Sequence, residues 1–370
     1  MALSNKIDAD HAATALAEWL GRRIPEADGI RVSGVTVPSA SGLSTETVLF
    51  DAAWTENGVA REQGMVARVQ PDGSGVFEHY DLAKEAAVMR ALADHTPVPA
   101  PRILFYEEDG SVLGAPFLVM ERVAGRIPSD DPPFTAAGWV LDLTPRQRNN
   151  MWNASLDVLA DIHRADWREL GLGFLDSPEH GRGLSAQLDH WERTFAWARE
   201  GQPNPTVEAA LAWLRDNQPR DEGELVLNWG DARVGNMIFS DDLEVAAVLD
   251  WEMVALASRE LELGWWLFLA RHHTEGVGLP LPEGVPDHAE TIARYERISG
   301  HTVRDIEYYE VFAGTRLSIL MVRAANMMIS AGLLPPDATM ALNNPALQLV
   351  AKLLDLPAPT GEAVTFIGNR

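Results

Sequence analysis

Cysteine is absent from all 370 residues, so neither disulfides nor thiolate metal sites can contribute to this fold. Long apolar runs are absent too. The longest, Gly264-Trp-Trp-Leu-Phe-Leu-Ala270, is far too short to span a bilayer. Met1 to Glu18 carries Asp8, Asp10 and His11 and lacks the unbroken apolar core of a signal peptide. Basic residues are scarce, with 30 Lys and Arg against 54 Asp and Glu and a formal charge of −24. That balance argues against nucleic acid or an anionic membrane as partner, because both need basic patches. It is compatible with a cationic substrate, although an acidic surface also serves solubility. No internal repeat or low-complexity tract is present. The chain is too long for one small core and suits a two-lobed enzyme, soluble and cytoplasmic.

Hydrophobic spacing divides the chain into a strand-rich first part and a helical second part. Residues 7–21 predict an amphipathic helix with Ala15, Leu16, Trp19 and Leu20 on its apolar face. Thr47 to Trp54 predicts a strand, and Asn57-Gly58 a hairpin turn, since both residues tolerate positive φ. Met65 to Val69 is the expected return strand. Leu82 to Ala93 is an expected helix, stopped by Pro97, Pro99 and Pro101. Pro116 to Val123 predicts the next strand. A Pro- and Asp-rich connection covers 126–147. Helices are expected from Pro145 to Ala165 and at 185–200, 206–217, 259–273, 287–299, 304–331 and 342–354. Gly276 to Pro286 is a Gly- and Pro-rich loop.

The most specific signal lies near residue 230. Leu225-Val-Leu-Asn-Trp-Gly-Asp231 is an apolar strand that delivers an Asp, and Asn236 follows five residues later. Glu244-Val-Ala-Ala-Val-Leu-Asp250-Trp-Glu252 is a second strand ending in another Asp. Gly-Asp-x4-Asn alone arises by chance in about one chain in twenty of this length, so the following strand and Asp-Trp-Glu carry the inference. In kinase-like centres one carboxylate orients the accepting hydroxyl, while an amide oxygen and a second carboxylate hold Mg²⁺ against nucleotide phosphates. Asp231 is the candidate base. Asn236 and Asp250 are the candidate Mg²⁺ ligands, because Mg²⁺ prefers hard oxygen donors and keeps several waters.

The segment resembles the aminoglycoside phosphotransferase-like family of small-molecule kinases, including its choline kinase-like members. That family's signature is His-Gly-Asp-x4-Asn, then a strand and Asp-Trp-Glu. The Trp before Gly230 is similar to the actinobacterial branch, and weaker matches run from about residue 30 to about 355. The resemblance implies an α+β, protein-kinase-like fold with the active site between its lobes. Residues 1–123 would form a small β-rich nucleotide-binding lobe, and 124–370 a larger helical lobe for catalysis and substrate binding. It implies ATP, with GTP as an alternative, and Mg²⁺ as cofactors. The partner would be a small-molecule hydroxyl acceptor, with the oligomeric state open. Arg68 falls where the phosphate-contacting Lys of the third strand sits, with Glu85 as its helix partner. Ser41 and Ser44 fall in the phosphate-covering loop, and the backbone of Glu121 and Val123 falls where adenine is held.

Three departures bear on activity. The signature His is Trp229, Arg68 presents a planar fork where the family has a point charge, and the loop at 39–46 has one glycine, Gly42. Together they leave room for a catalytically silent nucleotide-binding or scaffold protein on the same fold. The intact Asp231, Asn236 and Asp250 weigh against it. Asp-Phe-Gly and Ala-Pro-Glu are absent, which argues against a protein kinase. Arg233 is expected either at a phosphate or in a structural ion pair. Glu252, Glu260 and Glu262 could suit a cationic aminoglycoside, whereas the Trp- and Met-rich helices suit a flatter, less polar acceptor, the reading favoured here. His272 and His273 are expected to point apart, His163 to brace a loop or core, and Leu317, Leu320, Met321, Ala324 and Met328 to pack in the core.

Overall fold

The structure is a computed structural model that describes residues 7–38, 46–71, 73, 75–177, 180 and 182–361. The chain divides into two compact units, Met1–Ala93 with Ala100–Val123, and Asp94–Pro99 with Ala124–Arg370.

In the first unit, helix α1 spans Ala9–Arg23 and begins where the Asp8 carboxylate accepts the His11 N–H. Its apolar face, Leu16, Trp19 and Leu20, packs on a five-stranded antiparallel sheet and shares a core with Val48, Phe50, Phe117 and Val119. The strands are β1 (Ala27–Thr36), β2 (Glu46–Glu56), β3 (Val59–Val69), β4 (Ile103–Glu107) and β5 (Phe117–Glu121), in the order β1-β2-β3-β5-β4. Asn57 and Gly58 both take positive φ, 50° and 77°, and close the β2–β3 hairpin. The alternation of β2 then puts Val48, Phe50 and Ala52 on the buried face. Helix α2 (Leu82–His95) buries Leu82, Glu85, Ala86 and Met89.

The second unit is mainly helical: α3 (Pro145–Arg164), α4 (Gly183–Ala198), α5 (Pro205–Asp216), α6 (Arg259–His272), α7 (His288–Ser299), α8 (Ile306–Ser330) and α9 (Pro345–Leu353). Start signals in the sequence explain several boundaries. Thr144 and Gln147 form a capping box ahead of Pro145, and Asn204 and Asn344 cap α5 and α9. Helix α8 is the hub, packed against α4, α5, α6 and α9. Four short strands pair off as two small sheets. One joins β6 (Val226–Asn228) to β9 (Ala255–Ala257), and the other joins β7 (Met237–Phe239) to β8 (Val245–Val248). Gly125 lets the connection that follows β5 run against β7, because a Cβ there would strike Ile238 and the Phe239 carbonyl. Arg126 exchanges both backbone hydrogen bonds with Phe239, each 2.9 Å. Among the described residues no helix is long and apolar enough to cross a membrane.

Candidate active site

Strand β6 is buried along its length and ends at Trp229, Gly230 and Asp231. Gly230 has φ of 96°, and a Cβ there would overlap the Met253 carbonyl, so the turn into Asp231 requires glycine. Two backbone N–H groups at this turn would otherwise be orphaned. Glu262 of α6 takes both: Trp229 N–H at 2.8 Å on one oxygen and Gly230 N–H on the other. The Glu262 side chain is 0% exposed. His163 of α3 lies 3.0 Å from the same carboxylate through Nε2, and its Nδ1 lies 2.6 Å from the Tyr295 hydroxyl of α7. Burial pushes the Tyr295 pKa up and keeps that hydroxyl a donor. The turn is thus tied to three helices. Trp229 is 0% exposed and donates its indole N–H to the carbonyls of Leu249 (2.8 Å) and Asp250 (3.1 Å). It braces the loop both by packing and by hydrogen bonding.

The Asp231 carboxylate is held on both oxygens. Trp265 Nε1 donates to Oδ1 at 2.9 Å, and Asn236 Nδ2 donates to Oδ2 at 2.7 Å. Arg233 Nε lies 3.2 and 3.1 Å from the two oxygens, and the same guanidinium pairs with Asp130. Burial favours the neutral form of Arg233, but the Asp130 and Asp231 carboxylates outweigh it and push its pKa up. Arg233 thus pairs with both Asp231 and Asp130. Asn236 and Asp250 come together because Leu249 N–H donates to the Asn236 carbonyl at 2.9 Å at the end of the β7–β8 hairpin. With its Nδ2 turned to Asp231, Asn236 has its amide oxygen left for a cation, and Asp250 adds a carboxylate. Hard oxygen donors of this kind suit Mg²⁺, whose remaining sites are filled by phosphate and water. Asp250 holds φ of 64°, a conformation an Asp adopts at some cost.

A profile of APH, the phosphotransferase enzyme family, matches residues 40–304, well over half of the chain. The chain belongs to that family. The curated relatives it matches are much longer, and it spans less than a third of their length. One, named Probable acyl-CoA dehydrogenase IBR3 from Arabidopsis thaliana, is 30% identical over 252 residues, 64% of this chain and 29% of the relative. Another, Acyl-CoA dehydrogenase family member 11 from Homo sapiens, is 32% identical over 197 residues, 52% of this chain and 23% of the relative. Among solved structures, a Ralstonia eutropha protein provisionally described as an aminoglycoside phosphotransferase aligns with TM-score 0.67 and 24% identity, covering 94% of this chain and 96% of that one. The GDP and kanamycin complex of APH(2")-IIia aligns with TM-score 0.57 and 12% identity over 91% and 98% of the two chains. These likenesses show the fold: α+β and protein-kinase-like, with a small antiparallel sheet in one lobe and helices in the other.

The first unit carries the other expected residues. Arg68 on β3 and Glu85 on α2 face each other at 3.6 Å, both nearly fully buried. The Glu121 backbone N–H donates to the Arg102 carbonyl at 3.0 Å, and its carboxylate accepts Arg102 N–H at 3.1 Å. Val123 lies beyond the end of β5. Ser41 and Ser44 lie outside the described residues.

The structure bears on three expectations. Glu262 bonds the turn before Asp231, and Glu260 bonds His301 Nε2 at 2.7 Å and Arg304 N–H at 3.2 Å. Both carboxylates thus already have partners within the protein. Leu317, Leu320 and Met321 are only partly buried, because α8 turns that part of its stripe out of the core. The His272 and His273 rings do not point apart but lie tilted with centroids 5.4 Å apart, since His273 is the residue that ends α6. The sequence reading missed Trp265 as a partner of Asp231 and Glu262 as the turn's acceptor. Their spacing of three on one helix was the available signal, since it puts both on one face.

Proposed function

We propose that the protein transfers the γ-phosphoryl group of ATP, with GTP as the alternative donor, to a hydroxyl of a small molecule. The observation that carries this reading is the joined set of Asp231, Asn236 and Asp250. Asn236 bonds Asp231 through its amide nitrogen, and its backbone carbonyl anchors the residue next to Asp250. In this reading Asp231 accepts or orients the proton of the attacking hydroxyl, which is worth about 10²–10⁴-fold in rate. Asn236 and Asp250 would hold Mg²⁺, which when bound neutralises charge on the phosphates. Arg68, kept in place by Glu85, would contact those phosphates, with the Glu121 and Val123 backbone at adenine and the loop with Ser41 and Ser44 over the phosphates.

The acceptor we favour is flatter and less polar than an aminoglycoside. Two of the three acidic groups that would greet a polyamine are engaged elsewhere, and Leu317, Leu320 and Met321 offer apolar surface in the unit that holds Asp231. Kanamycin and hygromycin B, found in solved structures of the same fold, define the polar end of the panel to be tried. The test is calorimetric titration of MgATP and MgGTP into the wild type and Asp250→Ala, with and without Mg²⁺, followed by ADP release across hydroxylated acceptors. Metal-dependent binding that the variant loses is expected. Absence of nucleotide binding to the wild type would sink the proposal.

A further inference from the structure

Arg316 sits inside α8 and is 3% exposed. Among the described residues no carboxylate lies within ion-pair distance of it, and its Nε–H finds no acceptor. Its Nη2 donates to the Gly230 carbonyl at 3.0 Å. Its guanidinium lies over two indoles, 4.5 Å from the Trp265 ring centroid and 5.1 Å from that of Trp191. Burial pulls its pKa down to about 10, which leaves it charged at neutral pH. A buried cation without a carboxylate partner is expensive, and an apolar side chain of similar volume would fill the space at lower cost. The cation must therefore hold something that an apolar side chain could not.

What it holds is Asp231, from two directions. The Gly230 carbonyl belongs to the peptide group that leads into Asp231. Trp265 is the indole that donates to Asp231 Oδ1 at 2.9 Å. Asn236 fixes the other carboxylate oxygen from within the same loop, and Arg233 Nε reaches both oxygens at 3.2 and 3.1 Å, so the carboxylate is held by two local donors and one from α6. The α6 donor is only as well placed as its ring, and Arg316 covers that ring from α8. We propose that Arg316 is a positioning residue for phosphoryl transfer. It fixes the 230–231 peptide and, by stacking on Trp265, the indole donor that sets the direction of the Asp231 carboxylate. The role in transfer rests on Asp231 being the base; the mechanical link does not. Lysine would replace it only in part, because a compact ammonium cannot reach the carbonyl and cover two aromatic faces together.

The test uses the full chain with ¹⁵N-labelled indoles, the Trp265 peak being the one lost in Trp265→Phe. It should move upfield in Asp231→Asn, shift in Arg316→Met and return part of the way in Arg316→Lys. Trp191, the other indole under Arg316, is expected to shift in the Arg316 variants; the indole peaks other than those of Trp265 and Trp191, unmoved, show that the variants are folded. In parallel, MgATP turnover by Arg316→Met should fall about 10²-fold in kcat with KM for MgATP changed by no more than about twofold, as expected of a misplaced group that does not bind the nucleotide. A Trp265 peak that ignores Arg316→Met overturns the proposal, and so does an unchanged kcat in that variant. A peak that responds as expected in a protein whose wild type never turns over MgATP confirms the hold on Asp231 and overturns the phosphotransfer reading instead.

Discussion

Asn236 donates its side-chain N–H to Oδ2 of Asp231 at 2.7 Å, so the candidate metal ligand and the candidate base are one hydrogen-bonded unit. Removing either takes a hydrogen-bond partner from the other. Asp231→Ala should lower turnover by about 10²–10⁴-fold and leave MgATP binding in place. Asn236→Ala should lower both turnover and Mg²⁺-dependent binding. In the double variant the two losses in kcat should overlap, because groups that act as a unit are not additive. Steady-state kinetics on the four proteins checks this, and fully multiplicative losses would contradict it.

Asp250 combines a candidate metal-binding carboxylate with a backbone φ of 64°. The two roles can be separated. Asp250→Gly relieves the left-handed conformation, so its thermal midpoint should equal or exceed that of the wild type despite the added chain entropy of glycine. Its Mg²⁺-dependent nucleotide binding should be lost. Asp250→Asn, which also tolerates this conformation, should behave likewise. Thermal melts paired with calorimetry decide the matter, and a Gly variant that binds MgATP normally would remove Asp250 from the metal site.

Much of the architecture could be read from local signals, and the exceptions have physical reasons. Hydrophobic spacing placed the helices of the second unit within a few residues of their bounds, as with Pro145–Arg164 and Arg259–His272. The Asn57-Gly58 turn placed the β2–β3 hairpin. β4 and β9 went unread because short runs such as Ile103–Glu107 and Ala255–Ala257 become strands only by pairing with β5 and β6. At the site, Asp231, Asn236 and Asp250 lie close in sequence and could be found as a motif. Glu262 and Trp265 were misjudged because a helix carboxylate and a Trp in an apolar run look like surface and core. Their partners, Trp229, Gly230 and Asp231, lie more than thirty residues away.

In the first unit, Glu107 gives a pH dependence with a definite sign. Its carboxylate accepts from Arg23 Nη2 at 2.5 Å, Trp19 Nε1 at 2.7 Å and Asp109 N–H at 3.0 Å. The Arg23 hydrogen bond, then that of Trp19, lowers its pKa from 4.5 to about 2. A pKa depressed on folding means stability that is present above the unfolded value and lost as pH falls through the folded one. Stability from Glu107 should therefore be complete above pH 4.5 and decline from there toward about 2. Urea midpoints of wild type and Glu107→Gln should converge over that window. A constant gap between them would exclude the linkage.

Glu262 makes a stability prediction as well as a catalytic one. Glu262→Ala would leave the N–H groups of Trp229 and Gly230 without their acceptor and His163 without its partner. Buried donors left unpaired cost about 1–3 kcal/mol each, so a loss of at least about 3 kcal/mol is expected. Chemical denaturation followed by Trp fluorescence measures it. Turnover should fall too, because the turn that presents Asp231 is released. A variant with wild-type stability would show that water replaces the carboxylate.

Trp229 occupies the place of the His in the signature of this family, and the structure argues against restoring it. Its ring is fully buried, packs 6.0 Å from the Trp251 ring and donates to the carbonyls of Leu249 and Asp250. That last contact ties the residue before Gly230 to the loop that carries the second candidate metal ligand. A histidine fills much less volume, so Trp229→His should leave a cavity and cost about 2–4 kcal/mol by analogy with other large-to-small core changes. It should also loosen Asp250 and weaken Mg²⁺-dependent nucleotide binding, while Trp229→Phe keeps more of the packing and loses only the N–H. The expected order of stability and of MgATP affinity is therefore wild type, then Phe, then His. Thermal melts and calorimetry on the three proteins give that order directly, and a His variant equal to the wild type would mean that the family's His can be accommodated without help from the surrounding core.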